Sequence, residues 1–262
     1  MTCLNDSLAL RPEGDGVFAA LADPRYEATS GMFGGWTAAL MVKAVLSDTR
    51  ASGTCSYLSM QCLRMIAPGS ALRVTTRPVG GSKSIMSWQV EVTPVGDDSP
   101  SVYGTILLTN RRPSDAWHGL TMPEAAVPEV LPPFSPPGSF GQSTENRLTR
   151  GIQLFEAPDT VSHGWARETS GRPMDAVQLA YLSDVYAPRV FHISKGPRPS
   201  STVALSLTIL AGPEELAAIG DDWILTEATA TRIEQSQAGS AARHWSRDGK
   251  LLATSEQLCW FR

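Results

Sequence analysis

The sequence lacks a surplus of positive charge, a cysteine pair at metal-ligand spacing and any long apolar run. Lys and Arg total 22 against 26 Asp and Glu, a net charge of −4. That balance excludes a general nucleic-acid-binding face. No stretch of five like charges occurs, which argues against a charged interaction tail. Cys3, Cys55, Cys62 and Cys259 are scattered without a CxxC pair. Free thiols, some of them buried, are therefore expected, with no metal site, no cofactor and no disulfide scaffold. The longest apolar-leaning stretch, residues 31–46, is broken by Gly34, Gly35 and Lys43, so no membrane insertion is expected. The first residues show no basic segment before an apolar one, and the closing Cys-Trp-Phe-Arg is no lipidation or peroxisomal address. A cytoplasmic location is the expectation. Also missing are a Gly-x-Ser-x-Gly elbow, a His-Glu-x-x-His pair and a Gly-Lys-Ser/Thr phosphate loop.

What is present is enough apolar material for a sizeable core. Apolar residues make up 42% and charged residues 18%, which excludes a disordered chain. Proline divides the sequence. Seven prolines fall between Pro113 and Pro137, and each removes a backbone donor and disfavours helix before it. Residues 112–159 therefore read as a long linker between an N-terminal unit, 1–111, and a C-terminal unit, 160–262.

The two units share an order of elements. In the first, residues 33–46 have helical spacing and are rich in Ala. Strand patterns follow at 57–66, 72–79, 84–95 and 102–110. In the second, 175–186 reads as helix, stopped by Pro188. Strands follow at 202–210, 223–233, 241–246 and 251–261. Asp248-Gly249 suits a type I′ hairpin between the last two. An Ala-rich helix that is apolar on most sides should be wrapped by sheet. The expected fold is α+β: a double hotdog, two repeats of a long central helix wrapped by a curved antiparallel β-sheet.

Particular residues carry a resemblance. Asp23-Pro-Arg25 precedes Gly31-Met-Phe-Gly-Gly-Trp36 in the first unit. The second has His163-Gly-Trp-Ala-Arg167, Gly171-Arg-Pro-Met-Asp175, Leu179-Ala-Tyr-Leu-Ser-Asp184 and Leu252-Ala-Thr-Ser-Glu-Gln257. In these the chain resembles the acyl-CoA thioesterase II-like group of the thioesterase-like superfamily. The resemblance implies a double hotdog that hydrolyses an acyl-CoA or acyl-carrier thioester, and a homo-oligomer. It implies a catalytic set of Asp184, Thr202 and Gln257, with Ser200 and Ser201 as neighbouring alternatives for the hydroxyl. Phe33 stands where the family commonly has Asn.

The chemistry is reasonable for these residue types. A poorly solvated carboxylate is a stronger base, and a hydroxyl and an amide can hold a water. Gly34 and Gly35 at a helix start can offer backbone N–H groups to a thioester carbonyl. Phe33 and Trp36 are expected to line the substrate pocket. A second reading is a non-hydrolytic binding or tailoring protein on the same fold, of dehydratase, isomerase or cyclase type. Hotdog dehydratases rely on a His with an acid partner. Here the first unit has no His before His118, and only His163, His192 and His244 follow, which weakens that reading.

Overall fold

The computed structural model describes residues 4–262. Cys3 lies outside the described residues. In the first half, strands β1 (Arg11–Gly14) and β2 (Val17–Leu21) form a hairpin, followed by helix α2 (Gly34–Ser47). Then come β3 (Thr54–Cys62), β4 (Ala71–Gly81), β5 (Ile85–Pro94) and β6 (Val102–Thr109). The second half repeats this: the hairpin of β7 (Thr144–Arg150) and β8 (Ser162–Glu168), helix α3 (Ala176–Leu182), then β9 (Ser200–Ile209), β10 (Ile224–Glu234), β11 (Gln237–Ser246) and β12 (Leu251–Phe261). Short helices α1 (Leu4–Ser7), α4 (Val190–Ile193) and α5 (Pro213–Ile219) complete the chain.

All twelve strands join one antiparallel sheet in the order β1-β2-β4-β5-β6-β3-β9-β12-β11-β10-β8-β7. The order runs outward from the β3–β9 pair in the same way on both sides, so each half has the topology of the other. Five residues of β3, Tyr57 to Gln61, pair with Thr208 to Ala204 of β9 and make the sheet continuous.

The sheet wraps the two helices. In α2, Ala38 to Val42, Ala44 and Val45 are fully buried, as an Ala-rich helix with no polar face requires. Leu72, Val74, Trp88, Val90 and Ile106 pack in the same core. Burial of each large apolar side chain there contributes about 1.5–3 kcal/mol. At its C-terminal end α2 stops on Asp48, whose carboxylate accepts from the Arg50 backbone N–H at 3.0 Å and from Thr76 Oγ1 at 2.7 Å. This is the wrapped-helix arrangement that the sequence implied.

Three details differ. First, α3 ends at Leu182 and not at Tyr186. Ser183 caps it, with its hydroxyl bonded back to the Ala180 carbonyl at 2.8 Å. Pro188 has no N–H for the Asp184 carbonyl and disfavours α-helix at Ala187, so the chain leaves the helix early. Second, the Asp248-Gly249 turn is not type I′. Only Gly249 has positive φ, at 88°, and its N–H bonds the Ser246 carbonyl at 3.0 Å in a four-residue loop.

Third, the proline-rich segment is more than a connection. Its last part forms a 3-10 turn at Ser139–Gln142 and then β7, which pairs with β8. Its middle covers the outer face of the second half of the sheet. There Met122, Ala125 and Leu131 pack on Trp165, Trp223, Leu225 and Trp245. The Trp165 indole donates to the Ala126 carbonyl at 2.8 Å. Exposed tryptophans on a sheet face need a cover, and this segment supplies it.

Candidate active site

Asp184 sits just past the C-cap of α3, against the first turn of α2. It is therefore in the turn after the helix and not within it. The early end of α3 places its carboxylate in the interior between the two halves. Its Oδ1 accepts from Gln257 Nε2 at 2.7 Å. A Cβ built on Gly34 would lie 2.6 Å from its Oδ2. The backbone N–H of Gly35 also donates to the carboxylate. Burial pushes the carboxyl up to about 7, and the Gln257 and Gly35 hydrogen bonds hold it below where burial alone would take it.

Gln257 lies on β12 and Thr202 on the neighbouring β9. The ladder slips between Leu258 and Cys259, so Thr202 stands opposite Cys259 while Ala204 stands opposite Leu258. Such a bulge re-aims side chains locally. The second N–H of the Gln257 amide donates to Thr202 Oγ1 at 2.8 Å. Its Oε1 accepts from the Cys259 thiol at 3.3 Å, which fixes the amide's orientation. Because Thr202 Oγ1 accepts from Gln257, its own O–H is left to donate elsewhere. Of the three adjacent hydroxyls, those of Ser200 and Ser201 line the same cavity, but Thr202 is the one that meets Gln257.

These groups line a cavity of about 680 Å³. Gly34 is on its wall, whereas Gly35 is not. A Cβ at Gly35 would collide with the Tyr181 carbonyl oxygen and the Phe33 ring, so this glycine serves close helix packing. The pair expected to offer N–H groups together is thus divided: Gly35 N–H is taken by Asp184, and Gly34 is the one facing the cavity. The N-cap residue of α2, Phe33, offers no capping side chain, and Asp184 from the other half meets the Gly35 N–H instead. The first-turn N–H groups therefore have no carbonyl of their own helix and carry the positive end of its dipole.

Phe33 does line the cavity, stacked on Phe140 with ring centroids 4.1 Å apart and planes 4° from parallel. Trp36 does not. It is fully buried in the core, with its indole donating to Ser7 Oγ at 3.1 Å. Sequence reasoning missed two groups. The Cys259 thiol was signalled, because position i+2 on a strand shares a face with Gln257. Phe134, Pro136, Pro137 and Phe140 form a wall although they belong to the segment read as linker, and nothing in their spacing announced it. Cys62 and Cys259 both line the cavity, and burial pushes each thiol up to about 12, which makes them poor nucleophiles. Among the described residues, no group of three or more His, Cys, Asp or Glu is placed to hold a metal. No described helix is long and apolar enough to cross a membrane.

Residues 22–109 match the family model described as the acyl-CoA thioesterase N-terminal domain, and residues 121–261 the one described as the acyl-CoA thioesterase C-terminal domain. Among solved structures, the chain is similar to a conserved protein of unknown function with a hot dog fold from Alicyclobacillus acidocaldarius. Identity is 30%, the TM-score is 0.93, and the match covers 99% of this chain and 97% of that one. An acyl-CoA thioesterase II from Mycobacterium marinum is similar at 18% identity and a TM-score of 0.78, covering 99% and 98%. The dehydratase domain of PpsC from Mycobacterium tuberculosis aligns at 12% identity and a TM-score of 0.57, covering 98% and 99%. At that distance only the fold is shared, and one fold hosts several chemistries. No curated protein sequence matches the chain.

Proposed function

Starting from a chain that belongs to the acyl-CoA thioesterase family, and so is a thioesterase-type hydrolase, we propose the following site chemistry. The substrate is an acyl-CoA or acyl-carrier thioester, and Asp184, Thr202 and Gln257 direct a water onto its carbonyl carbon. Asp184, with its carboxyl near neutrality, is the general base. Thr202 donates its O–H to the water, and Gln257 holds both partners with its two N–H groups. As water attacks, its proton passes to Asp184. The oxyanion that forms is met by the Gly34 N–H at the start of α2, where the N-cap residue supplies no side-chain acceptor and the helix dipole is favourable. The tetrahedral intermediate then collapses, the C–S bond breaks, and the thiolate takes the proton from Asp184. The products are a carboxylic acid and a free thiol.

The observation that carries this reading is the hydrogen-bonded chain Asp184–Gln257–Thr202 on the wall of a large cavity, beside a helix start. Catalysis in the cytoplasm by a homo-oligomer, as the sequence led us to expect, completes the proposal. The test is thiol release from acyl-CoA esters of graded chain length, by wild type and by Asp184→Ala. Wild type should release thiol, and the folded variant should release none above background. Full activity in the variant would remove Asp184 from the mechanism.

A further inference from the structure

The cavity continues past Asp184 into the second half, where its lining changes character. In the first half the sheet presents Val74, Trp88 and Val90 to the long helix α2, an apolar interior throughout. In the second half α3 is short, and the sheet presents Ser162, Gly164 and Thr226 to the space beyond it. Arg189 and His192, before and within α4, close this end.

Arg189 is 2% exposed, yet among the described residues it pairs with no carboxylate. Its partners are all neutral. Nε and Nη2 donate to the Ala187 carbonyl, and Nη1 donates to the Thr160 carbonyl at 3.0 Å, to Ser162 Oγ at 2.7 Å and to the Ala228 carbonyl at 3.4 Å. One N–H of Nη2 is left over from the five in a guanidinium. The Tyr186 ring lies under the guanidinium at 5.3 Å. Burial lowers the Arg189 pKa to about 10, so the group stays charged at neutral pH.

His192 is fully buried, and both of its ring nitrogens are without a hydrogen-bond partner. Burial and the nearby Arg189 keep it neutral, with one N–H to give. Asp159 also acts on it, but that carboxylate is paired with Arg150 at 2.8 Å. A buried cation without a counter-charge and a buried imidazole without a partner are each unfavourable alone. An anion that reached both would offset each cost, through charge-assisted hydrogen bonds.

We propose that this end of the cavity is a subsite for a carboxylate at the far end of the acyl group, held by Arg189 and His192. The preferred substrates are then ω-carboxyacyl thioesters. This rests on the thioesterase reading above and adds the substrate class to it. The test measures kcat/KM by thiol release for ω-carboxyacyl-CoA, ω-hydroxyacyl-CoA and unsubstituted acyl-CoA esters of matched length. Wild type should favour the carboxyacyl series at least tenfold. That preference should fall at least tenfold in His192→Leu, and also in Arg189→Met. Because Arg189 also ties the turn at Ala187 to Thr160 and to strands β8 and β10, His192→Leu decides the matter should the arginine variant not fold. Equal or lower kcat/KM for the carboxyacyl esters, or preference for the hydroxyacyl esters, would overturn the subsite. If no ester of any series is cleaved, the hydrolytic reading fails separately. Adipate alone is then the probe: a rise in wild-type melting temperature that His192→Leu abolishes supports the subsite, and no rise refutes it.

Discussion

Replacing Asp184 by Asn removes a charge from the interior and nothing from its volume, so stability reports directly on the burial that makes the group a base. The carboxyl moves from about 3.9 in the unfolded chain to about 7 in the folded one. Between those values the folded protein binds more protons than the unfolded, so wild-type stability falls as pH rises through this window. The full loss, reached above the folded value, is about 4 kcal/mol at 1.36 kcal/mol per pH unit. Of this, roughly 2.5 kcal/mol falls between pH 5 and pH 8.

Asn does not titrate and escapes the loss. It keeps an oxygen for the Gln257 amide. Its own amide group turns an N–H toward Gly35 N–H, at a cost of about 1–3 kcal/mol that is the same at every pH. The measurable quantity is therefore the change in the gap. Urea unfolding of both proteins should show the variant gaining about 2.5 kcal/mol on wild type from pH 5 to pH 8. Over the same range wild-type kcat/KM should rise about tenfold per pH unit and level off near neutrality. The variant should lose about 10²–10⁴ in rate with no such profile. A stability gap equal at both pH values would show that the carboxyl titrates as if solvated, and the general-base argument would fall with it.

Two further outcomes follow from the same geometry. Gly34→Ala should fold but lose more than tenfold in kcat, because the new Cβ reaches the Asp184 carboxylate, while Gly35→Ala should lose about 1–3 kcal/mol of stability through collision with the Tyr181 backbone; a pairing of thermal melts with thiol-release rates separates the two, and the reverse pattern would contradict their assigned roles. Gln257→Leu removes the hydrogen bond that lowers the Asp184 pKa, so the midpoint of the pH–rate profile should move above its wild-type position; a midpoint that stays put would mean that the amide does not touch the titrating group.

Much of this architecture is legible in the sequence because it depends on local pattern. The helix at Gly34 to Ser47 and the strands from β3 to β6 and from β9 to β12 each have a period or a turn signal of their own. The hairpins β1–β2 and β7–β8 are short, polar or at the sheet's ends, and their sequences contain no such alternation. Asp184, Thr202 and Gln257 were named from neighbouring motifs, but their meeting point depends on where α3 stops and on the slip in the β9–β12 ladder. The course of the proline-rich segment is a matter of long-range packing. Its prolines exclude helix and central strand, and they say nothing about which tryptophans it will cover. Trp36 follows the same logic: helical spacing puts it near the glycines, and only the fold shows that its face is core.

The capping of the two central helices decides how many acyl groups one molecule can process. Two units joined as equals would carry two equivalent sites related by a twofold axis. Here the equivalence fails at the helix starts. The second helix begins on Asp175, whose carboxylate accepts the Gln178 N–H at 2.8 Å and pairs with Arg172. That terminus has its anion supplied by its own half of the chain. The first helix begins on Phe33, which offers no such group, and the carboxylate at its first turn is Asp184 of the other half. On the proposed chemistry the duplicated chain therefore has a stoichiometry of one: one repeat contributes the electrophilic terminus, the other contributes the base, and neither can act alone.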